Sequence, residues 1–228
     1  MLESVTIDSY VLGNGTEFTL ARRGDEWVVR VNGSMILMSS LMHDSEESLA
    51  EHALSRVVGP RRVLVGGLGL GFTLRAVLDR VSRDCKVSVA ELVPALVTWN
   101  REHVGELAKH PLSDPRSEVI VGDVFEVIKS SPNTFDAILL DVDNGPLALS
   151  NASNQRLYSE RGVRACRDAL RAPGVLAVWS AGPSARFERA LNNAGFDVRV
   201  MRVAARKGKR ARHVLFVAVA RAPRSRPE

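Results

Sequence analysis

The sequence predicts an α/β fold: a doubly wound, mostly parallel seven-stranded sheet with a small N-terminal antiparallel β-domain. Three observations carry this. From Val63 onward, short apolar runs alternate with helical patterns, the mark of a parallel sheet covered by helices. The run Arg62-Val-Leu-Val-Gly-Gly-Leu-Gly-Leu-Gly71 ends a strand in a glycine turn and opens a helix at once. The last two apolar runs are joined by a basic loop too short for a helical crossover, so they must pair antiparallel.

Residues 1–40 differ from the rest. Val5, Ile7, Phe18, Leu20, Trp27, Val29 and Val31 recur at period two, with Gly13-Asn-Gly15 and Arg23-Gly-Asp25 as turns. Asp44-Ser-Glu-Glu47 has the pattern of a capping box with Asp44 as the cap, and predicts a helix to about Val58 that Gly59-Pro60 stops. The chain therefore divides into an N-terminal β-domain, 1–44, and a cofactor-binding domain, 45–228. In the second, strands are expected at 62–66, 86–91, 118–122, 136–141, 174–180, 197–203 and 213–220. Helices are expected near 70–82, 94–109, 123–130, 154–171 and 184–194, with Pro94 suited to a first helical turn. Val63-Leu-Val65, Ala137-Ile-Leu-Leu140 and Val175-Leu-Ala-Val178 are near-continuous apolar runs, as buried parallel strands require.

Composition narrows the function. No run of apolar residues is long enough to span a membrane, and the start Met-Leu-Glu-Ser-Val-Thr does not read as a secretory signal. Two cysteines without metal-ligand spacing, Cys85 and Cys166, set the expectation of a reducing cytoplasm. The net charge of +5 is concentrated at Arg202, Arg206, Lys207, Lys209, Arg210 and Arg212, and in the tail from Arg221. No aromatic residues interleave these charges as a stacking surface needs, so a solvated loop is expected and nucleic acid is not.

The glycine loop points to a ligand. Gly67-x-Gly69-x-Gly71 lacks the spacing of a dinucleotide fingerprint, and no Gly-Lys-Ser/Thr follows for a phosphate loop. It has the form found in S-adenosylmethionine-binding folds, and a parallel sheet ending in an antiparallel hairpin is the methyltransferase version of the doubly wound fold. Glu91 stands about 20 residues on, at a strand end, placed to accept from ribose hydroxyls. Acids continue at the strand ends: Asp123 in Val121-Gly-Asp-Val124, and Asp141 in Leu139-Leu-Asp-Val-Asp-Asn-Gly-Pro146. Asp123 is placed to accept from an adenine amino group, although an acid there also suits a helix cap. Gly67, Leu68, Gly69, Gly71, Glu91, Leu92, Gly122, Asp123 and Val124 are the expected cofactor-binding residues. Asp141 sits where a second substrate meets the sulfonium end, and is the candidate catalytic carboxylate. Asp143, Asn144, Glu46 and Glu47 are the candidate substrate-binding residues. The histidines show no metal-site pattern and His213 reads as structural; Tyr158 and Trp179 could face the site, but a helix tyrosine and a strand tryptophan more often belong to the core.

The order of a small β-domain, Gly66-Gly-Leu-Gly-Leu-Gly71, Glu91, Gly122-Asp123 and Asp141-x-Asp-Asn-Gly-Pro146 resembles the spermidine synthases, which are aminopropyltransferases. Val31-Asn-Gly33 resembles their Leu-Asp-Gly, and Leu49-Ala50 with Ala53-Leu54 their Leu-Ala…Ala-Leu segment. The resemblance implies that Glu91 holds the ribose of decarboxylated S-adenosylmethionine, that Asp123 holds the adenine, and that Asp141 helps deprotonate the attacking amine. It also implies an amine substrate. The residue pattern itself gives no metal, and an N-terminal β-domain too small to be stable alone is expected to pack against a second subunit, as in a homodimer, or over the pocket. The chain departs from the family in three places. Ile36 stands where the family has a cofactor-contacting Gln, Ser45-Glu46-Glu47 stands for Tyr-His-Glu, and the segment after Asp141 is two residues shorter. Two other readings stay open: a methyltransferase using intact S-adenosylmethionine, and a non-catalytic member of the family.

Overall fold

The computed structural model describes residues 3–33, 35–142, 145–147, 152–205 and 212–221. The candidate residues Asp143 and Asn144, the basic residues 206–210 and the tail from 222 lie outside the described residues.

The period-two N-terminal segment forms β1 (Val5–Val11), β2 (Glu17–Arg23), β3 (Glu26–Val31) and β4 (Met35–Ser39), an antiparallel sheet in sequential order. A sheet this small has one apolar face and must cover it. Phe18, Leu20 and Val29 do so against Leu70, Val93, Leu96 and Trp99 of the larger domain. The Trp99 indole N–H also donates to Asp8 Oδ2 at 2.6 Å, tying β1 to the same surface.

Helix α1 (Asp44–Leu54) follows. Asp44 is its first helical residue and not its cap; His43 takes that position without a side-chain cap bond. The His43 ring stacks on Phe72 at 4.4 Å, which fixes how the chain enters the helix. Asp44, Glu46 and Glu47 fill the first turn, where the helix dipole favours acids. The helix ends four residues before Val58, as Arg56 N and Val57 N turn back to the carbonyls of Ala53 and Leu54.

The alternating region gives β5 (Arg62–Gly66), α2 (Phe72–Leu78), β6 (Lys86–Glu91), α3 (Pro94–Glu102), β7 (Ser117–Val121), α4 (Val124–Lys129) and β8 (Phe135–Leu140). It continues with α5 (Ala152–Leu157), α6 (Glu160–Ala169), β9 (Leu170–Ser180), α7 (Ala185–Asn193), β10 (Phe196–Ala204) and β11 (Arg212–Ala220). The sheet order is β10-β11-β9-β8-β5-β6-β7. The pairs from β9 to β7 are parallel, and β11 runs antiparallel to both β9 and β10. All seven expected strands are present.

Two expected helices are broken. The segment 94–109 stops at Glu102, and Gly105–Ala108 makes a separate 3₁₀ turn. A Cβ at Gly105 would lie 2.3 Å from the Asn100 carbonyl oxygen, so the chain can fold back this tightly only with glycine there. The segment 154–171 splits at Tyr158-Ser159, because the Ser159 hydroxyl accepts from Gly162 N and starts a new helix. Residue 170 then already belongs to β9.

The strands alternate their side chains between two cores. Val63, Val65, Val87, Val89, Ala137 and Leu139 face α1 and α2. Leu64, Ala90, Ile138, Leu140, Leu176 and Val178 face α4, α6 and α7. Among the described residues, no helix is long and apolar enough to cross a membrane.

Candidate active site

Strands β5 and β8 are neighbours, but the chain leaves β5 toward β6 and reaches β8 from the far edge at β7. Their carboxyl ends therefore flank the crevice where doubly wound sheets bind ligands. Asp141 N donates to Gly66 O at 2.8 Å, so the glycine loop and the acid begin side by side. Gly67 has φ +89, and a Cβ there would sit 2.3 Å from the Asp141 carbonyl oxygen. Only glycine lets the two segments approach this closely.

Glu91 is buried at the end of β6. Its Oε2 accepts from Leu68 N and its Oε1 from Val93 N, each at 2.8 Å. The carboxylate thus braces the glycine loop against the next strand end. Asp123 caps α4, with Oδ1 accepting from Phe125 N at 2.8 Å and Oδ2 paired with Arg156 at 2.7 Å. Its capping and its place on the wall of a cavity coexist.

Two cavities open from this crevice. The first, about 260 Å³, is floored by Gly67, Gly69, Glu91, Leu92, Gly122, Asp123 and Val124. The N-terminal sheet roofs it with Phe18, Val31 and Leu37. A Cβ at Gly122 would meet nothing within 4 Å, leaving that part of the floor as bare backbone. An acid, apolar neighbours and exposed peptide match an adenosine moiety. The second cavity, about 280 Å³, is lined by Glu46, Thr73, Trp179 and His213 under Ile36, Met38 and Met42. Asp141, Gly69 and Met38 line both, so Asp141 stands where the two cavities meet.

Burial sets the electrostatics there. Loss of solvent pushes the Asp141 carboxyl up to about 6, although the Thr73 hydroxyl, donating to Oδ2 at 2.5 Å, opposes the shift. Glu46 is pushed up to about 8, by burial first and by the Asp141 charge second. Ser45 Oγ donates to Glu46 Oε2 at 2.6 Å, and its oxygen lies 3.1 Å from Trp179 Nε1 and 3.0 Å from His213 Nδ1. The hydroxyl has one proton, already given to Glu46, so it accepts from both rings. This network assigns His213 as the Nδ1–H tautomer. Burial also pushes the imidazole pKa down, so His213 is neutral near pH 7.

The spermine/spermidine synthase domain family matches residues 42–191. The chain belongs to the spermine/spermidine synthase family. It is 33% identical over 158 residues to a polyamine aminopropyltransferase of Aeropyrum pernix, covering 65% of this chain and 49% of that relative. It is 31% identical over 173 residues to polyamine aminopropyltransferase 1 of Hyperthermus butylicus, covering 72% and 58%. The chain thus spans about half the length of the curated relatives it matches. A crystal structure of spermidine synthase in complex with the transition state analogue AdoDATO superposes with a TM-score of 0.77 at 23% identity, covering 94% of this chain and 73% of that one. The fold is therefore that of the spermidine synthases.

Within this family frame, several expected residues take other places. Leu68 lines the second cavity and not the first. Gly71 lines neither; it precedes α2 with φ +88, and a Cβ there would press on Asn100 and Pro111 at 2.9 Å, so its role is packing. Glu47 also lines neither, because one residue along a helix turns the side chain about 100° from Glu46. It lies 3.3 Å from His43 instead. Tyr158 is core as expected, and its hydroxyl donates to the Val142 carbonyl beside Asp141. Trp179 and His213, expected as core and structural, line the second cavity, and Thr73 beside Asp141 was not singled out by the sequence.

Proposed function

We propose that this protein transfers the aminopropyl group of decarboxylated S-adenosylmethionine to an amine. The observation that carries the reading is the charge around the junction. Among the described residues lining the two cavities, the ionisable side chains are the four acids Glu46, Glu91, Asp123 and Asp141 and the neutral His213, with no cation. Decarboxylated S-adenosylmethionine ends in an ammonium, which such a lining attracts. Intact S-adenosylmethionine adds a carboxylate, which the same lining repels. The family membership and the polyamine aminopropyltransferase relatives support the same reading.

When bound, the donor supplies a carbon activated by the sulfonium, and methylthioadenosine is the leaving group. The amine nitrogen forms the new N–C bond as the C–S bond breaks, the electron pair goes to sulfur, and one proton leaves the nitrogen. The residues have distinct roles. Glu91 holds the loop and accepts from ribose. Gly122, Asp123 and Val124 meet the adenine, and the N-terminal sheet excludes water above it. Asp141 accepts the proton, because a carboxyl with a pKa near 6 is ionised at neutral pH yet more basic than an ordinary Asp. Glu46 shares the site and holds a proton at neutral pH.

The reading extends to a cytoplasmic homodimer. Buried free thiols at Cys85 and Cys166 and the exposed apolar Val5 and Val11 on β1 support it. The functional test is calorimetry with decarboxylated S-adenosylmethionine, intact S-adenosylmethionine and methylthioadenosine, followed by an assay for amine-dependent methylthioadenosine release. Preferred binding of the decarboxylated donor and release with an amine are expected. Preferred binding of the intact donor, without release, would replace this reading with methyl transfer.

A further inference from the structure

The second cavity carries its charge at one end only. Among the described residues lining it, the charged side chains are Glu46 and Asp141, and these two face each other closely enough for one to shift the other's titration. Burial raises both carboxyls, and the Asp141 charge raises Glu46 further, so the two acids act as one cation-binding end of the cavity.

Apart from the hydroxyls of Ser39 and Thr73, the side chains on the rest of the wall are apolar or aromatic. The Trp179 and His213 rings meet edge to face at 4.5 Å, with Trp179 Nε1 and His213 Nδ1 turned to Ser45. Phe72 and Met38 continue the wall, and Ile36 and Met42 form an exposed apolar rim, 54% and 45% accessible. Ile36 and Met42 cost free energy in water, and an apolar ligand would cover them. Among the described residues of this wall, a second ammonium would meet no carboxylate beyond Asp141 and Glu46 and would lose its hydration.

Building on the aminopropyl-transfer reading, we infer that the second cavity selects an acceptor with one cationic nitrogen and an apolar or aromatic body, in preference to a polyamine. The nitrogen lies at Asp141 and Glu46, and the body runs along Trp179, His213 and Phe72 toward Met42.

A matched pair of probes tests this. n-Butylamine and putrescine share their four carbons and differ by the second ammonium, and phenethylamine adds an aromatic body. With the full-length protein and decarboxylated S-adenosylmethionine, methylthioadenosine release should show kcat/KM at least about tenfold higher for n-butylamine or phenethylamine than for putrescine. A Met42→Asp variant, changed at the exposed rim, should move the preference toward putrescine. Direct binding of the same amines in the presence of methylthioadenosine separates this inference from the reaction. Binding of monoamines ahead of putrescine supports the selectivity even if no product forms, in which case only the transfer reading fails. Preference for putrescine overturns the inference, and loss of that preference in Asp143→Asn would place the second carboxylate on Asp143. Absence of binding by every amine also overturns it.

Discussion

Replacing Thr73 by Val removes one hydroxyl and almost no volume, yet it should change the pH dependence of the reaction. Thr73 is 2% exposed, and its hydroxyl donates to Asp141 Oδ2 at 2.5 Å. That bond favours the ionised carboxyl and opposes the upward push of burial. A hydrogen bond to a charged group is worth about 1.5–3 kcal/mol, and one pKa unit is about 1.4 kcal/mol, so its loss raises the Asp141 pKa by about 1–2 units. The carboxyl moves from about 6 to roughly 7–8. The base must be ionised to accept a proton, so the acidic limb of the kcat profile should move up by the same amount. At pH 7 the variant should be about two- to tenfold slower, with the difference closing by pH 9. The assay is methylthioadenosine release at saturating donor and amine across pH 5–9. Because Asp141 and Glu46 titrate together, the comparison is of apparent values for the pair, repeated in Glu46→Gln. An acidic limb that stays in place in Thr73→Val, or a loss of rate that persists at pH 9, would refute the reasoning.

Other perturbations have equally definite outcomes. Glu91→Ala strips the acceptor from Leu68 N and Val93 N, loosens the loop and should weaken methylthioadenosine binding by about tenfold or more in calorimetry; unchanged affinity contradicts the role. The Glu46 pKa is raised from 4.5 to about 8 by folding, so the native state keeps a proton that the unfolded chain has lost, and stability should fall as pH rises through that interval. Glu46→Gln should flatten this fall in thermal melts at pH 5 and pH 9, and an unaltered slope would count against the buried pair. Gly67→Ala forces a positive φ and a clash with the Asp141 backbone, and should cost at least about 1–3 kcal/mol, read as a lower Tm. Gly122→Ala points its methyl into the first cavity and should lower donor affinity with little change in Tm; the reverse pattern would misplace that cavity.

The order of strands was legible because buried parallel strands need continuous apolar runs and the glycine loop marks the switch point. The site acids were legible because each closes a strand: Glu91 ends β6, Asp141 follows β8, and Asp123 lies two residues beyond β7. Three kinds of feature were not. Helix breaks at Gly105 and Ser159 depend on contacts that periodicity does not encode, namely the Asn100 carbonyl against Gly105 and the Ser159 cap on Gly162. The choice between adjacent acids depends on helix phase relative to the pocket, which sends Glu46 inward and Glu47 toward His43. Trp179 and His213 lie 34 positions apart in the chain and meet only because β11 pairs antiparallel with β9, with Leu215 opposite Trp179. Nothing local in either strand announces that contact. The glycines divide for a related reason: Gly67 and Gly69 approach the ligand crevice, whereas Gly71 has the same spacing and serves helix packing.

The central claim is that Asp141, at the meeting point of the two cavities, takes the proton in an aminopropyl transfer. Asp141→Asn keeps the side-chain shape and removes the base. The decisive measurement is single-turnover methylthioadenosine formation from decarboxylated S-adenosylmethionine and a monoamine, with donor affinity determined in parallel. The account predicts a rate lowered by about two to four decades while the donor binds within a few-fold of wild type. A normal rate, or a rate lost only in proportion to lost donor binding, would contradict it.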